Sequence, residues 1–187
     1  INRPDNSDDF YTGNTNLTKN LCEAIRKVNC KAPIIYTSSI QASQKTPYGL
    51  SKLAAEELLI ELSKDLAVPI HIFRLPNVFG KWSKPNYNSV VSTFCFNIIR
   101  GIPIHIENEN SDLELIYVDD IIKKFVELMD GIKAKDNLNN YKFVSPSYKI
   151  TLGKLSKQLY AFKKITETKI LENVGTGLIR ALYSTYI

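Results

Sequence analysis

Twice near its start the chain runs from a stretch with helical spacing through a proline into a short apolar strand, an order that sharply narrows the possible folds. Leu17, Leu21, Ala24, Ile25 and Val28 recur at helical spacing over Asn16 to Lys27, and Pro33 then opens a strand through Ile34, Ile35, Tyr36 and Thr37. Leu53, Leu58, Leu62 and Leu66 continue a second helix from Tyr48, and Pro69 precedes the apolar run Ile70 to Leu75. A helix between two strands carries the chain back across the sheet, so these strands are expected to be parallel and the fold α/β. Further on, helices are expected over Asn88 to Ile99 and over Asp119 to Met129, the latter with acids at its start and a stop near Gly131. Short strands are expected at Ile102 to Ile106, Leu113 to Tyr117 and Lys142 to Val144, and Thr151 caps a helix running through Phe162. No internal repeat or low-complexity linker interrupts this order.

A chain of 187 residues with 44% hydrophobic content can bury a core of one domain or most of one. No apolar run approaches the ~20 residues that span a bilayer, and Ile1-Asn2-Arg3-Pro4-Asp5 lacks the halves of a signal peptide. Cys22, Cys30 and Cys95 form no CxxC pair, and their odd number argues against a disulfide framework, which fits a reducing cytoplasm. The net charge of +5 is spread along the chain rather than held in one dense block, so it points only weakly to nucleic acid and equally serves an anionic small molecule such as a nucleotide sugar. His71 and His105 lie in separate apolar segments with no acid or cysteine at ligand spacing, so they read as packed or edge histidines rather than metal ligands.

The chemistry is concentrated where the first strand meets the second helix. Tyr48 and Lys52 are four apart, hence one turn apart on one helix face, and they follow a strand that ends in Ser38 and Ser39. A phenol titrates near ~10. The ammonium of Lys52 is expected to lie close to the phenol of Tyr48 and to lower that value, bringing it nearer to acid–base work at neutral pH. Ser39, at the strand tip, is placed to hold a substrate oxygen. The same spacing recurs at Tyr160 and Lys164 without a strand and serine pair before it, among Leu155, Leu159 and Phe162, and reads as the edge of an amphipathic helix.

Five segments in order carry a resemblance to a known family: Gly13-Asn14-Thr15-Asn16-Leu17, Thr37-Ser38-Ser39, Pro47-Tyr48-Gly49-Leu50-Ser51-Lys52, Arg74-Leu75-Pro76-Asn77-Val78-Phe79-Gly80 and Tyr117-Val118-Asp119-Asp120. The chain resembles the extended short-chain dehydrogenase/reductases, the NAD-dependent epimerase/dehydratase family of nucleotide-sugar enzymes. A narrower likeness lies in Ser39-Ile40-Gln41-Ala42-Ser43, Phe79 to Val91 and Leu182 to Tyr186. It is to the reductase half of bifunctional capsular polysaccharide synthesis enzymes, in which a cupin domain follows. The resemblance implies a partial Rossmann-like, doubly wound parallel sheet. Residues 1–80 would be the C-terminal half of the NAD(P)-binding domain and 81–187 mainly a substrate-binding part that returns to the sheet in part.

None of the eight glycines makes the glycine-rich turn that opens such a domain, so the chain is expected to be a fragment that alone binds dinucleotide weakly and turns over nothing. In the whole enzyme the resemblance implies that NADPH, or NAD, serves reduction of a 4-keto-6-deoxy UDP-sugar while Tyr48 donates a proton to the forming alkoxide. Lys52 would tune Tyr48 and, with it, hold the nicotinamide ribose; Leu75 and Pro76 would line the nicotinamide. Ser39, Gln41, Asn77 and Asn88 would reach the substrate, and no metal is implied. Without the family, Asn77 and Asn88 read as turn residues and Trp82 as a loop plug. A homodimer through the helices of Asn16 to Lys27 and Leu53 to Leu66 is also implied.

Departures from the family pattern bear on the reaction. Ile40 and Gln41 stand where dehydratases carry an Asp-Glu pair, which disfavours dehydration. Leu113-Glu114 replaces an Arg-Asp pair and so removes a cation expected at the diphosphate, a part left to Lys81, Lys84 or Arg100. Asp119 and Asp120 read as favourable helix-start charges rather than a catalytic pair. The alternatives to a reductase are a 4-epimerase and a non-catalytic nucleotide-binding protein of the same fold.

Overall fold

A computed structural model describes residues 3–131, 141–168, 170 and 174–187. The chain begins with α1 (Asp8–Phe10), a π-helical stretch (Tyr11–Asn16) and α2 (Leu17–Val28), followed by β1 (Ile34–Ser39), a 3-10 turn (Ile40–Ser43), α3 (Pro47–Leu66) and β2 (Ile70–Leu75). Then come β3 (Asn77–Phe79), α4 (Val90–Ile99), β4 (Asp112–Tyr117), α5 (Val118–Met129), β5 (Tyr141–Lys142), β6 (Tyr148–Thr151), α6 (Leu152–Thr168) and α7 (Gly177–Tyr186). The chain forms two compact units, Ile1–Leu75 with Glu127–Phe143, and Pro76–Val126 with Val144–Ile187. The units divide five residues before the expected boundary at 80/81, and the returning segment contributes a strand to the first.

In the first unit β1, β2 and β5 form a parallel sheet in that order, as the helix–strand alternation requires. Thr46 caps α3 by accepting a 3.0 Å hydrogen bond from Gly49 N, and Pro47 fills the first helical position, where a missing N–H costs nothing. From α3, Leu59 and Leu62 bury against Val68, Ile70 and Ile72, with Cys22 of α2 in the same cluster. Burial of each such side chain is worth about 1.5–3 kcal/mol, which makes this face, more than helix propensity, what seats α3 on the sheet.

In the second unit β3 and β4 are parallel and β6 runs antiparallel to β4. Its core joins Phe79, Val91, Phe94 and Ile98 to Leu155, Leu159, Phe162 and Leu182. Ser89 caps α4, which therefore starts at Val90 rather than Asn88. The expected strand at Ile102 to Ile106 is not one: the segment joins neither sheet. Gly101 enters it at φ +68°, and Pro103 removes a donor that a ladder needs, so Ile104 and Ile106 pack against the core without strand pairing. The strand expected over Lys142 to Val144 is Tyr141–Lys142. Among the described residues no helix is long and apolar enough to cross a membrane.

Candidate active site

The parallel register pairs Ser39 with Leu75, so the C-terminal tips of β1 and β2 lie side by side, the end at which open α/β sheets take ligands. Ser39 is buried, and its Oγ accepts from Gln41 N at 3.2 Å, starting the 3-10 turn that brings the chain to Thr46 and α3. That turn presses on the helix: a Cβ added at Gly49 would lie 2.3 Å from Gln41 O and 2.5 Å from Gln44 O. Gly49→Ala is therefore expected to lower stability by about 1–3 kcal/mol in chemical denaturation, because two backbone carbonyls must move.

Tyr48 stands on the first turn of α3, its ring 5.6 Å from that of Phe10. Lys52, one turn on, donates from Nζ to Thr37 O at 3.2 Å and lies 5.1 Å above the Tyr36 ring. The expectation that Lys52 lowers the Tyr48 pKa does not hold. Burial raises the Tyr48 phenol above 10, opposed by a hydrogen bond with Ser39, and the ammonium is engaged by Thr37 O and the Tyr36 face. The Lys52 amine is pushed below its ordinary value by burial, with the Glu56 carboxylate opposing. Tyr48 is thus a phenol at neutral pH, a group with a proton to give.

One turn beyond Lys52 stands a further group of this face that the Tyr48–Lys52 spacing does not reveal. Glu56, four residues beyond Lys52, is fully buried and accepts from Arg74 Nη2 at 2.6 Å, Arg74 Nε at 3.0 Å and Tyr141 OH at 3.1 Å. Ser38 Oγ donates to Oε1, the oxygen that Arg74 Nε also meets. Arg74 also stacks over the Tyr141 ring at 4.6 Å. A second missed group is Asn14, whose Nδ2 donates to Ser51 Oγ at 3.0 Å while Thr15 Oγ1 donates to Ser51 O at 3.0 Å. The π-helical stretch turns both neighbours toward α3; weak helix formers there hid it from the sequence.

The remaining candidates are less engaged. Gln41 is exposed and Leu75 half-buried at the end of β2, with Pro76 next in the chain. In the second unit Asn77 and Asn88 are exposed, and Asn77 Nδ2 donates to Glu114 O at 3.2 Å. Lys81 pairs with Asp119 at 3.1 Å, Lys84 lies 5.6 Å over the Tyr87 ring and Arg100 3.7 Å over Phe96, so each candidate diphosphate cation already has a local partner. Trp82 does not plug its loop: it is 93% exposed, at φ +63°. Asp119 and Asp120 lie in the first turn of α5. Tyr160 is partly exposed on α6, beside the buried Leu155, Leu159 and Phe162. His71 is half-buried and His105 exposed outside any strand, and among the described residues no three His, Cys, Asp or Glu side chains cluster to hold a metal.

A parallel strand pair with Ser39 at its tip, backed by a helix carrying Tyr48 and Lys52, defines a Rossmann-like domain of the dehydrogenase and epimerase class. Residues 2–142 match the NAD dependent epimerase/dehydratase family, and the chain belongs to it. It is 50% identical over all 187 residues to the UDP-2-acetamido-2,6-beta-L-arabino-hexul-4-ose reductase of Pseudomonas aeruginosa, covering 50% of that protein. Among solved structures it is similar to the capsular polysaccharide assembling protein CapF of Staphylococcus aureus, with a TM-score of 0.84 and 38% identity over 90% of this chain and 46% of that one. The UDP-glucuronic acid 4-epimerase of Bacillus cereus, in complex with NAD, shares the fold at a TM-score of 0.78 and 18% identity, covering 98% of this chain and 68% of that one. The chain thus spans about half the length of the reductase and of CapF.

Proposed function

We propose that this chain is the catalytic part of an NADPH-dependent reductase that converts a 4-keto-6-deoxy UDP-sugar to its alcohol, in the making of capsular or other surface polysaccharide. The observation that carries the reading is a tyrosine kept protonated by burial, hydrogen-bonded with Ser39 and one helical turn from a lysine. The identity with a reductase of a UDP-hexulose supports the substrate class. Ser39 orients the ketone oxygen, Tyr48 donates its proton to that oxygen as it gains charge, and Lys52, one helical turn on, holds the nicotinamide ribose.

The residues fit a dinucleotide. Lys52 and Tyr48 bring a cation and a hydroxyl to the strand tips, suited to ribose hydroxyls, while Leu75 and Pro76 offer an apolar lining. When bound, NADPH, or NAD in its reduced form, supplies the hydride. Gln41, Asn77 and Asn88 are assigned to the sugar nucleotide. A homodimer through α2 and α3 is supported by the exposed Leu17, Leu21 and Val28, spaced along α2. We place the enzyme in the cytoplasm, with a cupin domain in the full-length protein.

The test is nicotinamide consumption by the full-length protein with a UDP-4-keto sugar. The rate is expected to be level through neutral pH and to fall on the alkaline side, beginning below 10.5, because Lys52 loses its proton below its ordinary value. A rate that climbs steadily through neutral pH would show a base at work instead of an acid. Tightly retained NAD through purification would identify a 4-epimerase.

A further inference from the structure

Three strands and a helix converge on one buried carboxylate next to the proposed reacting pair. Glu56 lies two turns from Tyr48 and one from Lys52 on α3, and it takes hydrogen bonds from Ser38 of β1, Arg74 of β2 and Tyr141 of β5. Ser38 immediately precedes Ser39, and Arg74 immediately precedes Leu75. A helix that could slide against the sheet would move Tyr48 relative to Ser39; this clamp fixes it at the height of the strand tips. We propose that Glu56 is a positioning residue of this site: its carboxylate, clamped by Arg74, Ser38 and Tyr141, anchors the Lys52 ammonium electrostatically and fixes the strand tip that presents Ser39. This rests on the reading of Tyr48 and Lys52 as the reacting pair.

The surroundings of Lys52 leave Glu56 as the balancing charge. From β1 it faces Tyr36 and Thr37 O, and on α3 it has Tyr48 and Glu56 one turn to either side. Arg74 of β2 and Tyr141 of β5 meet the same carboxylate. The helical segment before α2 packs on α3 through Asn14, Thr15 and Phe10, which carry no charge. Burial raises Tyr36 to about 12 and raises Tyr48 and Tyr141 as well, so the three phenols stay neutral through neutral pH. Burial presses Lys52 toward its neutral form and the Glu56 charge resists it.

The experiment titrates Lys52 in the full-length protein by NMR of 13C-labelled lysine side chains, with the signal assigned by its loss in Lys52→Arg. Glu56→Gln keeps the shape and removes the charge. It is expected to lower the Lys52 titration midpoint by about one pH unit and to move the alkaline limb of kcat down with it. Glu56→Asp, which keeps the charge, should leave the midpoint near its original place. A Glu56→Gln protein that is less stable yet titrates and turns over with unmoved midpoints would overturn the proposal and make Glu56 structural only. If the titration moves in a protein that reduces no UDP-4-keto sugar, the positioning role holds and the reductase reading fails. Should Glu56→Gln not fold, Glu56→Gln with Arg74→Gln leaves no unpaired buried charge and is compared with Arg74→Gln alone: a lower Lys52 midpoint in the double variant supports the proposal, and equal midpoints overturn it.

Discussion

Tyr48→Phe in the full-length protein is expected to lower kcat for reduction of the 4-keto sugar by ~10²–10⁴-fold, the range by which a positioned proton donor accelerates a step. Phenylalanine keeps the ring that packs 5.6 Å from Phe10, so the fold and the first turn of α3 should persist. What is lost is one O–H beside Ser39, which matters only as the ketone oxygen acquires charge. KM for the sugar should therefore change much less than kcat, and NADPH affinity should fall only modestly. Ser39→Ala should show a smaller loss of kcat, since an orienting hydroxyl is removed while the donor remains. Turnover unchanged in Tyr48→Phe would remove Tyr48 from the chemistry and return the non-catalytic reading to the front.

The parts of this site that depend on local order were visible before the structure. Tyr48 and Lys52 share a helix face by spacing alone, and the strand before them puts Ser39 at its end. The parallel pairing of β1 with β2 follows from the helix between them. The electrostatics did not follow, because the sign of the Tyr48 shift is set by how much water burial removes, which spacing does not encode. Nor did the Glu56 clamp. Its i+4 relation to Lys52 is written in the sequence, but Arg74 is 18 residues away and Tyr141 is 85, joined to it only by the sheet order β1-β2-β5. The segment Ile102 to Ile106 alternates like a strand, yet Pro103 leaves it without the donor a ladder needs.

Arg74→Met is expected to cost the first unit about 3–5 kcal/mol, toward the lower end, whereas Arg26→Met in the same unit should cost far less. Both arginines make a 2.7 Å or shorter contact with a carboxylate, so distance does not separate them. Exposure does. The Glu56 side chain is 0% exposed, while Asp65, the partner of Arg26, is 45% exposed and can return to water when its cation is removed. Arg74 itself is 30% exposed, and water entering along that path tempers the loss. Denaturant midpoints of the two variants in the full-length protein read the difference directly, and equal losses would mean that Glu56 finds solvent. Combining Arg74→Met with Glu56→Gln should recover part of the stability, because the double variant leaves no charge stranded in the core. Recovery of stability without recovery of turnover would place the two roles of the clamp, holding the sheet to α3 and holding the charge of Lys52, on the same four side chains.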